Sequence, residues 1–235
     1  MHFVNLLLSA ALFVSGAYIG FRGYERLKSA SASNVHTGSP RAQFPLDSAL
    51  TRQSCIYSHL VIEYFHNRIT PGAVSAPSGW VSAMDLKRKS PFRLGDASFD
   101  ISGSDIDAKP VQVAGYIERS VGALDDFMRW SAIASANRPL DPAIVSNLLV
   151  LPEVKSRLAP HLKKILRITE TFIPEDSEVF VLANPPKTQH AAAPAILIST
   201  SSGAKALADL TRTANMGIGL GIALIVVAIA IILFF

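Results

Sequence analysis

The sequence has 235 residues, of which 49% are hydrophobic and 17% are charged, and its formal net charge is +4. Every Lys, Arg, Asp and Glu residue lies between Arg22 and Arg212, so both ends of the chain are uncharged in these side chains. This distribution argues against a fully soluble protein and against a polytopic transporter, and predicts a globular region between two membrane segments. The modest charge gives no indication of a nucleic-acid partner.

The first apolar segment is Phe3–Phe21. At about 1.5 Å rise per residue, its length matches a hydrocarbon layer of about 30 Å. A cleavable signal peptide is the alternative, because residues 9–11 and 15–17 resemble cleavage sites. That alternative lacks a positively charged start, since only His2 and the α-amino group precede the apolar run. We therefore predict a transmembrane helix over residues 1–21.

Residues 22–43 are predicted to form a linker, because the part from 29 onward is mostly small and polar and contains Pro and Gly. The middle domain is predicted to cover residues 44–212. Its first strand is Cys55–His66, which is rich in β-branched and aromatic residues and alternates with a period of two. Further short strands are predicted at Gly79–Met84, Ser98–Ile101, Pro110–Glu118, Ser177–Ala183 and Ala195–Ser199.

Two helices are predicted between these strands, at Ser120–Ala132 and at Ala143–Arg167, the second broken by Pro152 and Pro160. The spacing of the strands favours antiparallel pairing over βαβ units. The predicted fold class is therefore α+β, a mainly antiparallel sheet or a small barrel with packed helices, flanked by two transmembrane helices.

The last part of the second predicted helix is amphipathic and basic. Its apolar face is formed by Val154, Leu158, Leu162, Ile165 and Leu166. Its basic residues are Lys155, Arg157, Lys163, Lys164 and Arg167. Such a helix can lie on an anionic lipid surface. The alternative, which we favour, is a helix that packs on the sheet and exposes a solvated basic face.

No complete catalytic, cofactor-binding or metal-binding motif occurs in the sequence. Cys55 is the one cysteine, and His59, four residues further along the same strand, would lie about 13 Å away. This distance excludes a direct Cys–His pair, so Cys55 is predicted to be a buried structural residue. The basic run at residues 87–89 has no interleaved aromatic residues, which favours a surface loop or a lipid-headgroup contact over nucleic-acid recognition.

The second apolar segment is Met216–Phe235, and we predict a transmembrane helix over residues 213–235. Gly217, Gly219 and Gly221 lie near its start. A row of small residues lets helices approach closely, and the alternative for this row is plain exposure to lipid.

The basic residues that flank the two apolar segments lie on the side of the middle domain, and they are Arg22, Arg26, Lys28, Lys205 and Arg212. The positive-inside rule therefore predicts a cytoplasmic middle domain, with both termini outside.

An ordered set of short motifs resembles one family of membrane proteins. The set comprises Pro45, Leu46, Ser48, Leu50, Thr51, Cys55 and Tyr57, then Trp80, then Pro91, Phe92, Leu94 and Asp96. Glu170, ahead of a predicted strand, and residues 196–199, ahead of the last helix, continue the order. This order resembles the GIDE domain, also called BAM, over about residues 44–212 together with both spans. Ser98 and Ala183 depart from it, because the family tends to have Gly there.

The resemblance implies an α+β domain between two membrane spans. GIDE domains occur in a mitochondrial ubiquitin ligase that crosses the outer membrane twice, and in many bacterial and archaeal membrane proteins. The ligase carries a zinc-binding RING domain after its second span, whereas this sequence has one cysteine and no RING. We therefore expect a membrane-surface interaction or sensing module in the inner membrane of a prokaryotic cell, with a membrane or cytosolic protein partner. The alternative is a ubiquitin-ligase-like subunit whose RING is supplied by another chain. The mitochondrial relative places its domain in the intermembrane space, opposite to the charge-based orientation.

Overall fold

The computed structural model describes residues 2–31, 33–66, 79–118, 138–186 and 191–234. The elements in chain order are α1 (His2–Ser31), β1 (Asn34–Gly38), β2 (Arg41–Ala42), β3 (Cys55–His66), β4 (Gly79–Lys89), β5 (Phe92–Leu94), β6 (Ala97–Asp100), β7 (Asp105–Asp107), β8 (Val111–Gly115), α2 (Pro142–Leu149), α3 (Pro152–Leu158), β9 (Leu166–Pro174), β10 (Val179–Ala183), β11 (Ala193–Ser199) and α4 (Gly203–Phe234). A short 3₁₀ helix, Ala159–His161, follows α3.

The chain divides into two compact units, each assembled from segments that are distant in sequence. Unit 1 comprises Met1–Gly38, Ala97–Asp107 and Glu178–Phe235. Unit 2 comprises Ser39–Asp96 and Ala108–Ser177. The boundaries of a single middle domain over residues 44–212 stay a prediction.

Unit 1 combines the two long helices with a mixed sheet in the order β1-β10-β11-β6. The first two ladders are antiparallel, whereas β11 pairs in parallel with both β6 and β7. Strand β10 is buried along its whole length. Its Phe180 and Leu182 pack with Leu197 of β11 and with Ala206 and Leu210 of α4. The first turns of α4 therefore belong to the core of this unit.

Unit 2 contains an antiparallel four-stranded sheet in the order β4-β3-β9-β8. Outside this four-stranded sheet, β2 pairs with β5 in a short antiparallel ladder. Its core joins Leu60 and Ile62 of β3 and Ile168 of β9 to Leu148 of α2 and Leu158 of α3. Both short helices therefore pack on one face of this sheet.

The α+β fold class is confirmed, and the strand prediction for Cys55–His66 is confirmed over its full length. The other five predicted strands are also present, as β4, β6, β8, β10 and β11, with shifted ends. The barrel alternative is wrong for the part of the chain that the structure describes, because its sheets do not close on themselves. The predicted helix Ser120–Ala132 lies outside the described residues.

Two predicted irregular segments are strands. Within the predicted linker, residues 34–38 form β1, which pairs with β10 from Asn34 opposite Ala183 to Gly38 opposite Val179. A ladder uses backbone groups, so a polar segment at an edge position needs no apolar pattern to join it. The basic run at residues 87–89 is the end of β4 and pairs with residues 57–59 of β3, so the prediction of a loop there is wrong.

The predicted helical stretch Ala143–Arg167 is confirmed in its interruption at Pro152, but its extension to Arg167 is wrong. Helix α2 has Asp141 at its N-cap, whose carboxylate accepts from the Ala143 N–H at 2.8 Å. Pro152 lies in the first turn of α3, where the missing N–H costs nothing because first-turn N–H groups have no intrahelical partner. After the 3₁₀ turn the chain enters β9, so Ile165 and Leu166 do not continue a helical face.

Helices α1 and α4 are both long and apolar enough to cross a membrane, and most of their side chains are exposed. Both extend beyond the predicted spans. Helix α1 continues for ten residues after Phe21, and α4 begins at Gly203 instead of at residue 213. Helical hydrogen bonding continues through charged residues, so the end of an apolar run does not set the end of a helix.

Candidate functional site

The most elaborate polar cluster in unit 2 surrounds the carboxylate of Glu170. This residue lies in β9, opposite Leu60 of β3, at an inward-facing position. Its side chain is fully buried. Four groups donate hydrogen bonds to it: Ser48 Oγ at 2.8 Å, the Ala49 N–H at 2.7 Å, the Leu50 N–H at 2.8 Å and Ser58 Oγ at 2.6 Å.

These donors explain how a carboxylate is tolerated inside the sheet. Burial of an unpaired charge is costly, but charge-assisted hydrogen bonds from backbone and hydroxyl groups offset the loss of water. Glu170 thereby anchors the turn at residues 48–51 to the sheet. The Ser48 hydroxyl also accepts from the Thr51 N–H and hydroxyl, at 3.1 and 3.0 Å. The cluster is closed to solvent, so it stabilises the fold and offers no site for a substrate. We call Glu170 and the four groups that donate to it, from Ser48, Ala49, Leu50 and Ser58, the polar lock.

Two further side chains extend this lock. Arg88 of β4 donates to the backbone carbonyl of Asp47 at 2.6 Å. Asn147 of α2 donates from Nδ2 to the Leu50 carbonyl at 2.7 Å. The turn that carries Ser48 and Leu50 is therefore tied to β9, β4 and α2 together.

Cys55 lies beside this cluster at the start of β3 and is fully buried. Burial, reinforced by the negative charge of Glu170, raises the pKa of its thiol from 9.0 to about 12. The thiol is therefore protonated and unreactive at neutral pH. His59 was predicted to lie too far along the strand to contact Cys55. Its Nε2 instead lies 2.9 Å from the Asp85 carboxylate on β4.

The five basic residues predicted to lie on one helix are distributed over α3, the turn after the 3₁₀ helix, and β9. Lys155 and Arg157 lie exposed on α3, and Lys163 lies exposed in the turn after the 3₁₀ helix. The ammonium group of Lys164 lies 3.9 Å from the ring centre of Tyr64. Arg167 belongs to β9. The extension of this helix to Arg167 is therefore wrong, whereas the favoured packing on the sheet is confirmed for Val154 and Leu158 of α3. The contact with anionic lipid stays a prediction.

Arg167 is held within the sheet of unit 2. Its Nε donates to the Glu63 carboxylate at 2.6 Å, and its guanidinium group lies 4.6 Å from the ring centre of Trp80. The hydrogen bond with Glu63 raises the pKa of Arg167 above its already high value. Trp80 in turn makes an edge contact with Phe65, at 5.6 Å between ring centroids. This arrangement indicates a structural role for Arg167.

The two long helices of unit 1 pack along a seam of small residues. A Cβ atom on Gly16 would lie 2.7 Å from the Gly221 carbonyl oxygen, and one on Gly23 would lie 2.8 Å from that of Ala214. The step from Gly16 to Gly23 along α1 is thus matched by the step from Gly221 back to Ala214 along α4. The helices are therefore antiparallel and in close backbone contact.

The glycines near the start of the second apolar segment were predicted either to let another helix approach closely or to be exposed to lipid. The seam shows which of them do each. A Cβ atom on Gly217 would lie 3.7 Å from the Gly23 Cα, and Gly221 lies in the seam, whereas Gly219 faces open space. Ser9 and Ala228, seven residues further out on each helix, are also buried. The contribution of α1 was not predicted from the sequence, although Ser9, Gly16 and Gly23 are spaced seven residues apart, as in a left-handed helix pair.

A cavity of about 190 Å³ lies within unit 1, between the ends of the long helices and strands β7 and β11. Arg26 and Asp105 form an ion pair of 3.3 Å at this cavity, and both side chains are about half exposed. Its volume is below the range of about 300–1,000 Å³ that is usual for small-molecule sites. Among the residues that the structure describes, no group of His, Cys, Asp and Glu side chains could hold a metal ion.

No protein-family model matches the chain, and no curated protein or solved structure shows significant similarity to it. The resemblance to the GIDE family therefore stays a prediction. Its motif residues fall in both units, and those near Ser48, Cys55 and Glu170 meet in the polar lock described above. Glu170 was named in the sequence analysis, but its partners were not.

Proposed function

We propose that this protein is a two-span integral membrane protein whose middle region acts as an interaction or sensing module at the membrane surface. The observation that carries the proposal is the tight antiparallel pairing of α1 with α4. Both helices expose large apolar side chains away from the seam, among them Leu7, Phe13, Leu220, Val226 and Leu233. Exposed apolar surface of this extent is stable in lipid and unstable in water.

The seam also supports a retained first helix, in preference to a cleaved signal peptide. Gly16, Gly20 and Gly23 of α1 lie against α4. Removal of α1 would expose the small-residue face of α4, which is shaped to accept a second helix backbone. The mature protein is therefore expected to retain α1, and intact-mass measurement of the protein purified from membranes tests this.

For the middle region we propose a binding role, in line with the GIDE resemblance, with a membrane or cytosolic protein as the partner. The support comes from two described residues with reactive or charged side chains, Cys55 and Glu170. Both are buried, so they stabilise the fold and neither is accessible to a substrate. The exposed residues Lys155, Arg157 and Lys163 are available for contact with anionic lipid headgroups. We further propose the cytoplasmic orientation, on the basis of the flanking basic residues, and the inner membrane, in line with the resemblance.

Extraction of membranes with alkaline carbonate tests the membrane assignment. A two-span protein stays in the pellet, and release into the supernatant would contradict the assignment. The orientation is tested with alkaline phosphatase and fluorescent-protein fusions at residue 43 and after Phe235. Phosphatase activity from the fusion at residue 43 would contradict the cytoplasmic orientation.

The partner is sought by pull-down of the full chain from detergent-solubilised membranes. Glu178→Gln, a change at an exposed residue, serves as a matched control for variants of the basic residues. An autoubiquitination assay with several conjugating enzymes addresses the alternative. Ubiquitin chains that form with the purified protein alone would overturn the binding role, and chains that form only after a RING protein is added would favour the ligase-like alternative.

A further inference from the structure

Two arginines lie directly opposite each other on the short ladder between β2 and β5 in unit 2. Arg41 pairs with Arg93 in antiparallel register. Two residues along, the Gln43 N–H donates to the Pro91 carbonyl at 2.8 Å. Hydrogen-bonded and non-hydrogen-bonded positions alternate in an antiparallel ladder, so Arg41 and Arg93 occupy a hydrogen-bonded position, with Cα atoms about 5.5 Å apart.

The two arginine side chains project from the same face of the ladder, because residues directly opposite each other share a face. Both are exposed. On either side of Arg93, Phe92 and Leu94 are buried, and they fix the orientation of β5. Like charges directly opposite each other destabilise a ladder. The arrangement therefore leaves a concentrated positive charge on a backbone that is held in place.

Among the residues that the structure describes, no carboxylate forms a direct ion pair with either arginine. Glu175 is close to β2, but it accepts hydrogen bonds from the Ala42 N–H and from Ser54 Oγ, the latter at 2.9 Å. In the described parts of the chain, neither Arg41 nor Arg93 takes part in an ion pair. The charge of Glu175 weakens the repulsion, but neither guanidinium group has a carboxylate in direct contact within these residues.

We propose that Arg41 and Arg93 bind one phosphate-type oxyanion between their guanidinium groups. Each guanidinium group presents a planar fork of N–H donors, and the fork matches two oxygens of a phosphate. A bound dianion converts the repulsion between the arginines into attraction of both toward one ligand. The oxyanion is either free phosphate or the phosphate of an anionic lipid headgroup. The site is independent of the proposed membrane topology.

The test is thermal unfolding of the full chain in nanodiscs of zwitterionic lipid, with phosphate compared to sodium chloride at equal ionic strength. A ligand that binds the folded state raises its melting temperature in a saturating manner. We expect such a rise with phosphate for the wild type. Arg41→Gln and Arg93→Gln should each need at least about tenfold more phosphate for the same rise. Arg138→Gln, a change at an exposed arginine of unit 2, is the matched control and should respond like the wild type.

Two further arms complete the experiment. Arg93→Glu places opposite charges across the ladder, so it should raise the melting temperature without phosphate and abolish the response to phosphate. Nanodiscs that contain phosphatidic acid, without added phosphate, distinguish the two sources: a rise in this arm alone identifies a lipid headgroup, and a rise with inorganic phosphate identifies a free oxyanion. The proposal is overturned if neither arm gives a rise, if chloride acts as well as phosphate, or if either Arg→Gln variant keeps the full response.

Discussion

Gly16 and Gly221 meet backbone to backbone across the two long helices, and a Cβ atom on either would lie within 2.7 Å of the carbonyl oxygen of the other. Neither residue needs an unusual backbone conformation, since both lie in regular helix. Their requirement for glycine comes from the close approach of the two helix backbones.

The first prediction follows from this contact. Gly221→Ala should lower the free energy of unfolding by about 1–3 kcal/mol, because a methyl group in the seam forces two backbones apart. Gly219→Ala is the control on the same helix, since nothing lies within 4 Å of the position that its Cβ atom would take. It should be neutral or stabilising by up to about 1 kcal/mol, through the higher helix propensity of Ala. Thermal unfolding in nanodiscs measures both, and equal effects of the two variants would contradict the seam.

The second prediction concerns the buried lock around Glu170. Glu170→Gln keeps the shape but removes the charge and turns an amide group toward four donors. We expect a loss of about 3 kcal/mol, because donors that served a carboxylate become unsatisfied. Glu178→Gln, at an exposed position, should change stability by no more than about 0.5 kcal/mol. Chemical denaturation measures the difference, and wild-type stability of Glu170→Gln would show that the negative charge is not required.

The third prediction is a pH dependence that arises from Cys55. The thiol pKa is about 12 in the folded chain, against 9.0 for an ordinary thiol. The folded state therefore retains a proton that the unfolded state releases above pH 9, and the contribution of Cys55 to stability is lost as the pH rises toward 12. The loss is about 1.4 kcal/mol for each pH unit in this interval.

The comparison of wild type with Cys55→Ala isolates this effect, because every other titrating group is common to both proteins. At pH 8 the wild type should be more stable by about 1–3 kcal/mol. The advantage should shrink between about pH 9 and pH 11. A stability difference between the two proteins that stays constant over this range would show that burial does not raise the pKa of the Cys55 thiol. The native thiol should also resist alkylating reagents at neutral pH until the chain unfolds.

The fourth prediction separates the basic residues of unit 2 by role. Arg167→Gln should destabilise the fold by about 1–2 kcal/mol, because it breaks the contacts with Glu63 and Trp80. Lys163→Gln should leave stability within about 0.5 kcal/mol of the wild type. If exposed basic residues contact lipid, Lys163→Gln should weaken binding to anionic vesicles more than Arg167→Gln does. Equal destabilisation by the two changes would contradict a structural role for Arg167.

Strand β3 was predictable from the sequence because its residues alternate and are flanked by turn-forming residues. Strand β9 was not. Its inward-facing positions are Leu166, Ile168 and Glu170, and the carboxylate interrupts the apolar alternation that would indicate a strand. The same carboxylate is stable there only because donors from residues more than a hundred positions away reach it. Local pattern carries no information about such partners.

The contact between α1 and α4 was likewise predictable from the sequence only in part. The apolar composition of the two ends predicts two long helices, and their glycines predict that a close approach is possible. Which glycines meet depends on the register between segments about two hundred residues apart, and Gly219 shows that a glycine in the same run can face away. The Arg41–Arg93 pair depends in the same way on a strand register, which no local pattern of charge specifies.

The connections between helices and strands in unit 1 have a mechanical consequence. Strand β1 begins three positions after α1 ends, α4 begins four positions after β11 ends, and β1 and β11 both pair with β10. A sliding of one helix along the other would therefore shear the two ladders on either side of β10. The interlocked backbones at Gly16 and Gly221 oppose the same sliding. We therefore expect unit 1 to resist sliding of one long helix along the other, and we expect a displacement of the helix pair to move the sheet with it.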